Sequence, residues 1–537
     1  MRQCGRMLHS LRARQYLVVL IAALLGACAT IPGADYPRQP SAAYTKPETT
    51  RLGRDLQPVL SRHPDVSGFC LLVQGTDGLR MRLDLANTAE RTLDLQYFII
   101  QNDTTGKLLI QSILRAADRN VRVRMLVDDA DDLQRDRQIA ALAAHPQIEI
   151  RVFNPFYTRG MLDVMRYAEF VVSGQRVNYR MHNKTFVADN AAAVLGGRNI
   201  GDEYFQASER TEFGDFDVLA VGPLVREISA SFDDYWNSGL AIPIQALLAI
   251  KPSSDALQRY RDEIGENRAQ LGESPYAREL AKAKSLKGTI ADSRALVWAH
   301  AALLYDSPDK SKVESGEEDG SLLRRRLGEA VRGVKSELLI VSPYLVPGDG
   351  GMRLLEGLRD RGVRVRILTN SLASTDMPIV HAGYRHYRTR LLEDGVELYE
   401  VRPSLGNPGG GGSSLKSPSS GQFALHAKVF VLDRTRIFVG SMNFDRRSLK
   451  LNTEVGLLID SPELARQVVS RFDAIAQPAN CYVPTLATAS DVSGARSVMW
   501  RTEENGESVE IAAEPSGDLL RGLKVDLMTL MPIDDLL

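Results

Sequence analysis

The sequence predicts an α/β protein made of two related halves, and three observations carry that prediction. The pattern His-x-Lys-x4-Asp occurs twice, as HNKTFVAD at 182–189 and HAKVFVLD at 426–433. With 8 histidines in the chain and Lys and Asp each at roughly one residue in twenty, chance supplies only about 0.02 such matches. The upstream flanks repeat as well: RTLDLQYFII at 91–100 parallels SELLIVSPYLV at 336–346, and VRVRML at 121–126 parallels VRVRIL at 363–368. Between the members of each pair, GKLLIQSILRAADRN and GGMRLLEGLRDRG carry leucines at helical spacing. Strand, helix and strand in that order imply a parallel, right-handed βαβ crossover in each half.

The elements follow from the N-terminus. Arg2, Arg6, Arg12 and Arg14 precede an apolar run from Leu17 to Leu25, which meets Gly26, Ala27 and Cys28. This is a secretory signal pattern, too short for an ordinary spanning helix. LGAC resembles the lipobox of bacterial lipoproteins, which implies a signal peptide over 1–27 and Cys28 as the lipidated N-terminus. The alternatives are an uncleaved anchor helix or a plain signal peptide, and each sends the protein out of the cytoplasm. Residues 28–50, rich in Pro, Ala and Thr, read as a flexible tether. Of the 4 cysteines, Cys4 lies in the removable segment and Cys28 takes lipid. Cys70 and Cys481 remain, to pair or to stay as two buried thiols.

The first half is expected over 51–250, a charged helical connector over 251–290 and the second half over 291–478. The remainder, 479–537, holds a hairpin around Asn505-Gly506 and a helix with Leu519, Leu520, Leu523, Leu527, Leu530 and Met531 on one side. That face is expected to dock on the body, with membrane contact as the alternative. A composition of 44% hydrophobic and 25% charged residues excludes a disordered chain and a multi-span membrane protein. The formal charge of −1 gives no global electrostatic reason to bind nucleic acid.

In a regular strand His182 and Lys184 share a face, as do His426 and Lys428, while Asp189 and Asp433 have the opposite parity. The aspartates are therefore better suited to holding a turn than to attacking a substrate. Gly196, Gly197, Gly440 and Ser441 are small enough to let an anion near the backbone, and Asn199 and Asn443 add side-chain donors. Paired imidazoles suit a phosphodiester, because one attacks phosphorus while the other protonates the leaving oxygen. The lysines and asparagines would neutralise the non-bridging oxygens. The scheme needs no metal and no cofactor.

These residues resemble the phospholipase D superfamily with its paired motifs: His182, Lys184, Asp189 and Asn199 in one copy, His426, Lys428, Asp433 and Asn443 in the other. NYRMHNK, GGRNIGDEYF and FDRRSLKLNTEVGL look like the cardiolipin synthase C branch. The resemblance implies two pseudo-symmetric α/β/α halves, an active site at their interface and a phosphohistidine intermediate, with His182 as nucleophile and His426 as acid and then base. It also implies a carboxylate downstream of each asparagine that orients an imidazole. By position these are Asp215, with Asp217 as its rival, and Glu454. The expected reaction is phosphatidyl transfer to phosphatidylglycerol from phosphatidylglycerol or phosphatidylethanolamine, with hydrolysis to phosphatidic acid as the alternative. A nuclease or a non-catalytic envelope scaffold are the more distant readings. The expected location is the bacterial cell envelope, lipid-anchored on the periplasmic side, with Ala29 after the cysteine favouring the outer over the inner membrane.

Other features have plainer readings. DDADD at 128–132 reads as a solvated loop rather than a metal site, since TNSLA in the second half has no carboxylate. His381 and His386 read as surface residues of a helix. Tyr97 and Tyr344 read as core or pocket rim. The Gly/Ser-rich stretch before His426 is a lid or a tolerated insertion.

Overall fold

A computed structural model describes residues 33–129, 134–156, 169, 174–248, 252–272, 274–292, 294–310, 321–405, 422–487 and 497–529. Cys28 with the signal segment, Asp131 and Asp132, most of the Gly/Ser-rich stretch, and Leu530 and Met531 lie outside the described residues.

The repeat in sequence is a repeat in topology. Across the first sheet the strands run Asp217–Val221, Ala192–Gly196, Thr185–Ala188, Thr92–Tyr97, Arg122–Asp128 and Ile148–Phe153. Across the second they run Val455–Asp460, Arg436–Gly440, Val429–Leu432, Glu337–Val341, Arg364–Asn370 and Glu397–Val401. Directions match pair by pair. The last three strands of each set are mutually parallel and the first four are joined by antiparallel pairings. The parallel strands are apolar nearly throughout because helices cover them. Gly75–Thr88 and Thr104–Asp118 pack on the outer face of the first sheet, and Leu322–Arg332, Gly348–Asp360 and Pro378–Glu393 on that of the second. The inner faces share one core. Phe69, Leu195 and Val218 meet Val429, Val439 and Leu457 there, with the helices Leu224–Trp236 and Pro462–Ile475 contributing Ile228, Val468 and Phe472.

Several boundaries differ from the expectation. Strand Val297–Ala299 falls within the range assigned to the second half, yet it pairs with Ser67–Leu72 at the edge of the first sheet. The next strand, Ala301–Tyr305, pairs with Val455–Asp460 in the second, so the chain changes sheets at His300. The hairpin Val498–Glu504 and Glu507–Ile511 turns at Asn505-Gly506, as expected, with φ of 54° and 85°. Through Cys481–Leu486 it continues the second sheet, and buried Trp500 donates to Glu400 Oε2 at 3.0 Å. Cys481 and Cys70 are two free, buried thiols in different sheets.

The tether is shorter than its composition suggests. Gly33 already packs against Ala246. Arg151, Arg124 and Arg122 then donate to the carbonyls of Gln39, Ser41 and Ala42 at 2.9, 2.9 and 2.7 Å. An extended Pro-rich chain leaves its carbonyls unpaired, and three arginines of the first half capture them.

The C-terminal helix Leu519–Thr529 does dock, but by the unexpected face. Val525 is buried with Leu372 and Ala382, whereas Leu520, Leu523 and Leu527 point outward. Its neighbour, the helix Pro378–Glu393, carries His381 and His386. His381 is buried and bonded to Glu514 at 2.8 Å, which corrects its reading as a surface residue, while His386 is exposed with Nε2 3.2 Å from the Thr529 carbonyl.

Candidate active site at the junction of the halves

Each His-Lys pair sits just before a strand rather than within it. His182 and Lys184 precede Thr185–Ala188, and His426 and Lys428 lie between Gln422–Leu425 and Val429–Leu432. The expectation of a regular strand fails because the backbone pairs with the opposite half. His182 N donates to the Thr453 carbonyl at 2.9 Å, and Thr453 N returns the bond to Arg180 at 2.9 Å. His426 N donates to the Gly214 carbonyl at 2.8 Å, and Gln422–Leu425 runs parallel to Thr211–Gly214. Both histidines are thus held by the interface itself.

The carboxylates are crossed. Glu454 of the second half accepts from Nδ1 of His182 at 2.9 Å, and Asp215 of the first half accepts from Nδ1 of His426 at 2.6 Å. Asp217, the rival, is occupied elsewhere in a buried ion pair with Arg82 at 2.8 Å and lies 3.4 Å from Arg198. With Nδ1–H donated to a carboxylate, each imidazole keeps Nε2 for chemistry. Lys428 Nζ lies 2.8 Å from Nδ1 and 3.1 Å from Nε2 of His426, and Lys184 Nζ donates to the His182 carbonyl at 2.6 Å. Phe98 meets the His182 ring edge-on at 5.1 Å and Tyr204 does the same for His426 at 5.1 Å, which fixes both ring planes.

The small residues after the second strand of each hairpin serve these carboxylates. A Cβ at Gly197 would stand 2.2 Å from Asp215 Oδ1. The matching residue of the second half, Ser441, donates its hydroxyl to Glu454 at 2.5 Å. The shorter residue is therefore matched with glycine in one half, and the longer with a hydroxyl donor in the other. Asn199 donates Nδ2 to the Tyr204 hydroxyl at 3.0 Å, while Asn443 Oδ1 has no hydrogen-bond partner among the described residues. Turning that amide presents its NH2 to an anion instead.

Asp189 and Asp433 do structural work. Both have positive φ, as do Asn190 and Arg434 after them, the geometry of a two-residue hairpin turn. Asp189 accepts from the backbone N–H groups of Glu90, Arg91 and Thr92 at 2.9, 2.7 and 2.9 Å. Asp433 accepts from Lys335, Ser336 and Glu337 in the same way. Each aspartate thus pins its hairpin to the start of the central strand. Asp189→Ala, which orphans three N–H groups, is expected to lower unfolding free energy by about 3 kcal/mol. Chemical denaturation measures this, and Asp433→Ala costs less because its turn is half-exposed.

Burial dominates the electrostatics. It holds His182 well below the usual histidine range, aided by Lys184 and Lys428, and it does the same to His426 beside Lys428, Lys184 and His182. Burial pushes Glu454 up to about 7 against the pull of Lys184, and raises Asp215 as well. It pushes Lys428 down to about 8 despite Asp215, Asp376 and Glu454, and holds Lys184 well below the usual lysine range. Neutral imidazoles can act as nucleophile and base. The negative charge of a phosphodiester between them favours protonation of one, which supplies the acid.

Of the remaining features, the acidic run is corrected and Tyr97 lies in the core as expected. Asp128 is fully buried and accepts from Met181 N at 2.8 Å and from Arg180 at 3.3 Å, and Asp129 accepts from Phe156 N at 2.8 Å. These two are therefore not a solvated loop: Asp128 pins the segment that enters His182, and Asp129 pins Phe156 just after the strand Ile148–Phe153. Tyr97 is core, accepting from Arg82 Nε at 2.8 Å, whereas Tyr344 donates to Asp376 at 2.8 Å. Arg447, also absent from the sequence reading, donates to Asn178 across the interface at 3.0 Å.

The comparisons agree with this geometry. The family described as "Cardiolipin synthase, PLD-like domain" matches residues 83–236 and 324–476, once in each half. Cardiolipin synthase C of Escherichia coli (strain K12) is 35% identical over 496 residues, covering 91% of this chain and 100% of the relative. Cardiolipin synthase A of Pseudomonas entomophila (strain L48) is 25% identical over 416 residues, 76% of this chain and 69% of the relative. Among solved structures, phosphatidylserine synthase of Haemophilus influenzae Rd KW20 aligns with a TM-score of 0.51 at 15% identity, over 81% of this chain and 92% of that one, which shows a shared fold. With one motif copy from each half meeting at a single junction, and the family match falling on both halves, the chain belongs to the phospholipase D superfamily, as an enzyme resembling the cardiolipin synthases.

Proposed function

We propose that this enzyme is a membrane-anchored cardiolipin synthase that works through a phosphohistidine. The observation that carries the mechanism is the pair of imidazoles, each fixed at Nδ1 by a carboxylate and each left with Nε2 for the substrate. His182 Nε2 attacks the phosphorus of a donor phospholipid, the bond from phosphorus to the headgroup oxygen breaks, and His426 gives that oxygen a proton. In the second step His426 takes the proton from a headgroup hydroxyl of phosphatidylglycerol, whose oxygen attacks phosphorus and releases His182. Lys184, Lys428, Asn199 and Asn443 surround the charge that builds on the phosphoryl oxygens. The donor is phosphatidylglycerol or phosphatidylethanolamine.

Lipid rather than water as the acceptor is favoured by burial, since His182 and His426 are only 7% and 5% exposed. Lipidation of Cys28 supports the same reading. Only four residues lie between it and Gly33, where the chain is already packed, so the anchor holds the body within about 18 Å of the lipid. The test is the mature chain in vesicles of deuterated phosphatidylglycerol and phosphatidylethanolamine with chelator, followed by mass spectrometry. Cardiolipin carrying the label is expected. Phosphatidic acid as the only product would make water the acceptor and the protein a phospholipase D.

A further inference from the structure

The C-terminal helix Leu519–Thr529 is anchored on one face and bare on the other. Val525 and Met528 pack with Leu372, Ile379 and Ala382. Arg521 donates to the carbonyls of Ala373 and Thr375 at 3.0 and 2.6 Å, and Arg385 pairs with Asp526 at 2.7 Å. On the outer side Leu520, Leu523 and Leu527 are 71%, 67% and 67% exposed. Their spacing of three and four places them in one stripe. Met377, 42% exposed, lies two residues beyond the Thr375 carbonyl that Arg521 grips. Between them, Asp376 accepts from Tyr344 and feels the charges of both Lys428 and Arg521. The helix that carries the stripe is thus held to the loop that places Asp376 near Lys428 of the active site.

We propose that this stripe, with Met377, is a lipid-bilayer contact that enters the boundary between headgroups and acyl chains and seats the mouth of the active site on the membrane. The proposal rests on the reading of the substrate as phospholipid. Position favours a bilayer as the occupant, because the helix is held to the loop that places Asp376 near Lys428, so whatever the stripe rests on lies close to the active site. Charge does not oppose it: Lys524 stands exposed among the leucines, Arg385 pairs with both Asp526 and Glu514, and Asp518 lies away from the stripe, which leaves an amphipathic helix close to neutral with an apolar face for the headgroup boundary. Area argues against a second protein, since three leucines offer far less than the roughly 800 Å² per partner of a stable interface.

The test uses the mature chain in phosphatidylglycerol vesicles, with Leu523→Cys carrying an environment-sensitive dye in a His182→Ala background. The native Cys70 and Cys481 are buried, and Ser508→Cys at the exposed hairpin serves as the solvent control. The Leu523 dye is expected to shift to the blue while the Ser508 dye does not. In the active enzyme, Leu520→Ser, Leu523→Ser and Leu527→Ser together are expected to cut turnover on vesicles about tenfold or more and to spare turnover of short-chain phosphatidylglycerol below its micelle concentration. A dye at Leu523 that stays in water overturns the proposal, as does equal loss on both substrates. Self-association that the triple substitution abolishes would assign the stripe to a second copy and overturn it too. If the parent enzyme makes no cardiolipin from either substrate, the functional reading fails by itself, and the dye measurement still stands.

Discussion

Alanine at His182 or at His426 is expected to lower turnover by about 10⁵-fold or more, with the double substitution no worse than either single one. The reason is that the two imidazoles act on one phosphorus in sequence. Without the nucleophile no covalent intermediate forms, and without its partner neither the leaving oxygen gains a proton nor the acceptor loses one. The loss is chemical and not a loss of fold. Each truncation leaves one buried carboxylate without its donor, a cost of about 1–3 kcal/mol, and Glu454, already pushed up to about 7, limits that cost by taking a proton. Rapid quench of the parent enzyme with labelled phospholipid, followed by peptide mapping, places the intermediate: a phosphatidyl adduct on the peptide holding His182 is expected. An adduct on His426 would reverse the two roles, and near-normal turnover in either alanine variant would remove the mechanism altogether.

Much of this site is legible in the sequence because it is written twice. The repeated spacing identifies His182, Lys184, His426 and Lys428; Asp189 and Asp433 do lie in the turns, although the regular strand behind that expectation begins only after each lysine. The crossing of the carboxylates is not legible, because it depends on how two halves more than two hundred residues apart face each other. Local spacing assigns Asp215 and Glu454 to their own halves, and only the backbone pairing of His182 with Thr453 and of His426 with Gly214 hands them across. A subtler signal was present. Gly197 and Ser441 occupy matching places, and their difference follows the carboxylate each meets: bare glycine lies against Asp215 and a hydroxyl donor lies against Glu454. Asp128 misled for another reason: a carboxylate after a strand is usually solvated, and here Met181 N and Arg180 consume it. The C-terminal helix misled through its leucines, since periodicity reports a shared face and leaves open whether protein or lipid covers it.

The crossed pairs predict a pH profile whose limbs belong to different halves. Below about 7 Glu454 takes a proton, and the Nδ1–H of His182 then loses the anionic acceptor that fixes its tautomer and supports its positive charge during attack. Above about 8 Lys428 gives up its proton, and the phosphoryl oxygens lose a cation. Since burial holds both histidines well below their usual range, the limb near 7 belongs to the pair of Glu454 with His182 rather than to imidazole titration alone. A bell in kcat/KM with its maximum between these limbs is therefore expected, because that ratio reports the free enzyme. Glu454→Gln is expected to lower the rate by about 10³–10⁴, as an amide that favours the wrong tautomer does, and to move the acid limb downward. Asp215→Asn lowers the rate comparably and leaves the acid limb near 7, because it acts on His426. Ring-nitrogen NMR of the two histidines separates the cases. Glu454→Gln should shift the His182 signals alone and Asp215→Asn those of His426 alone, whereas the opposite assignment would mean that each half orients its own imidazole and that the crossed geometry is wrong.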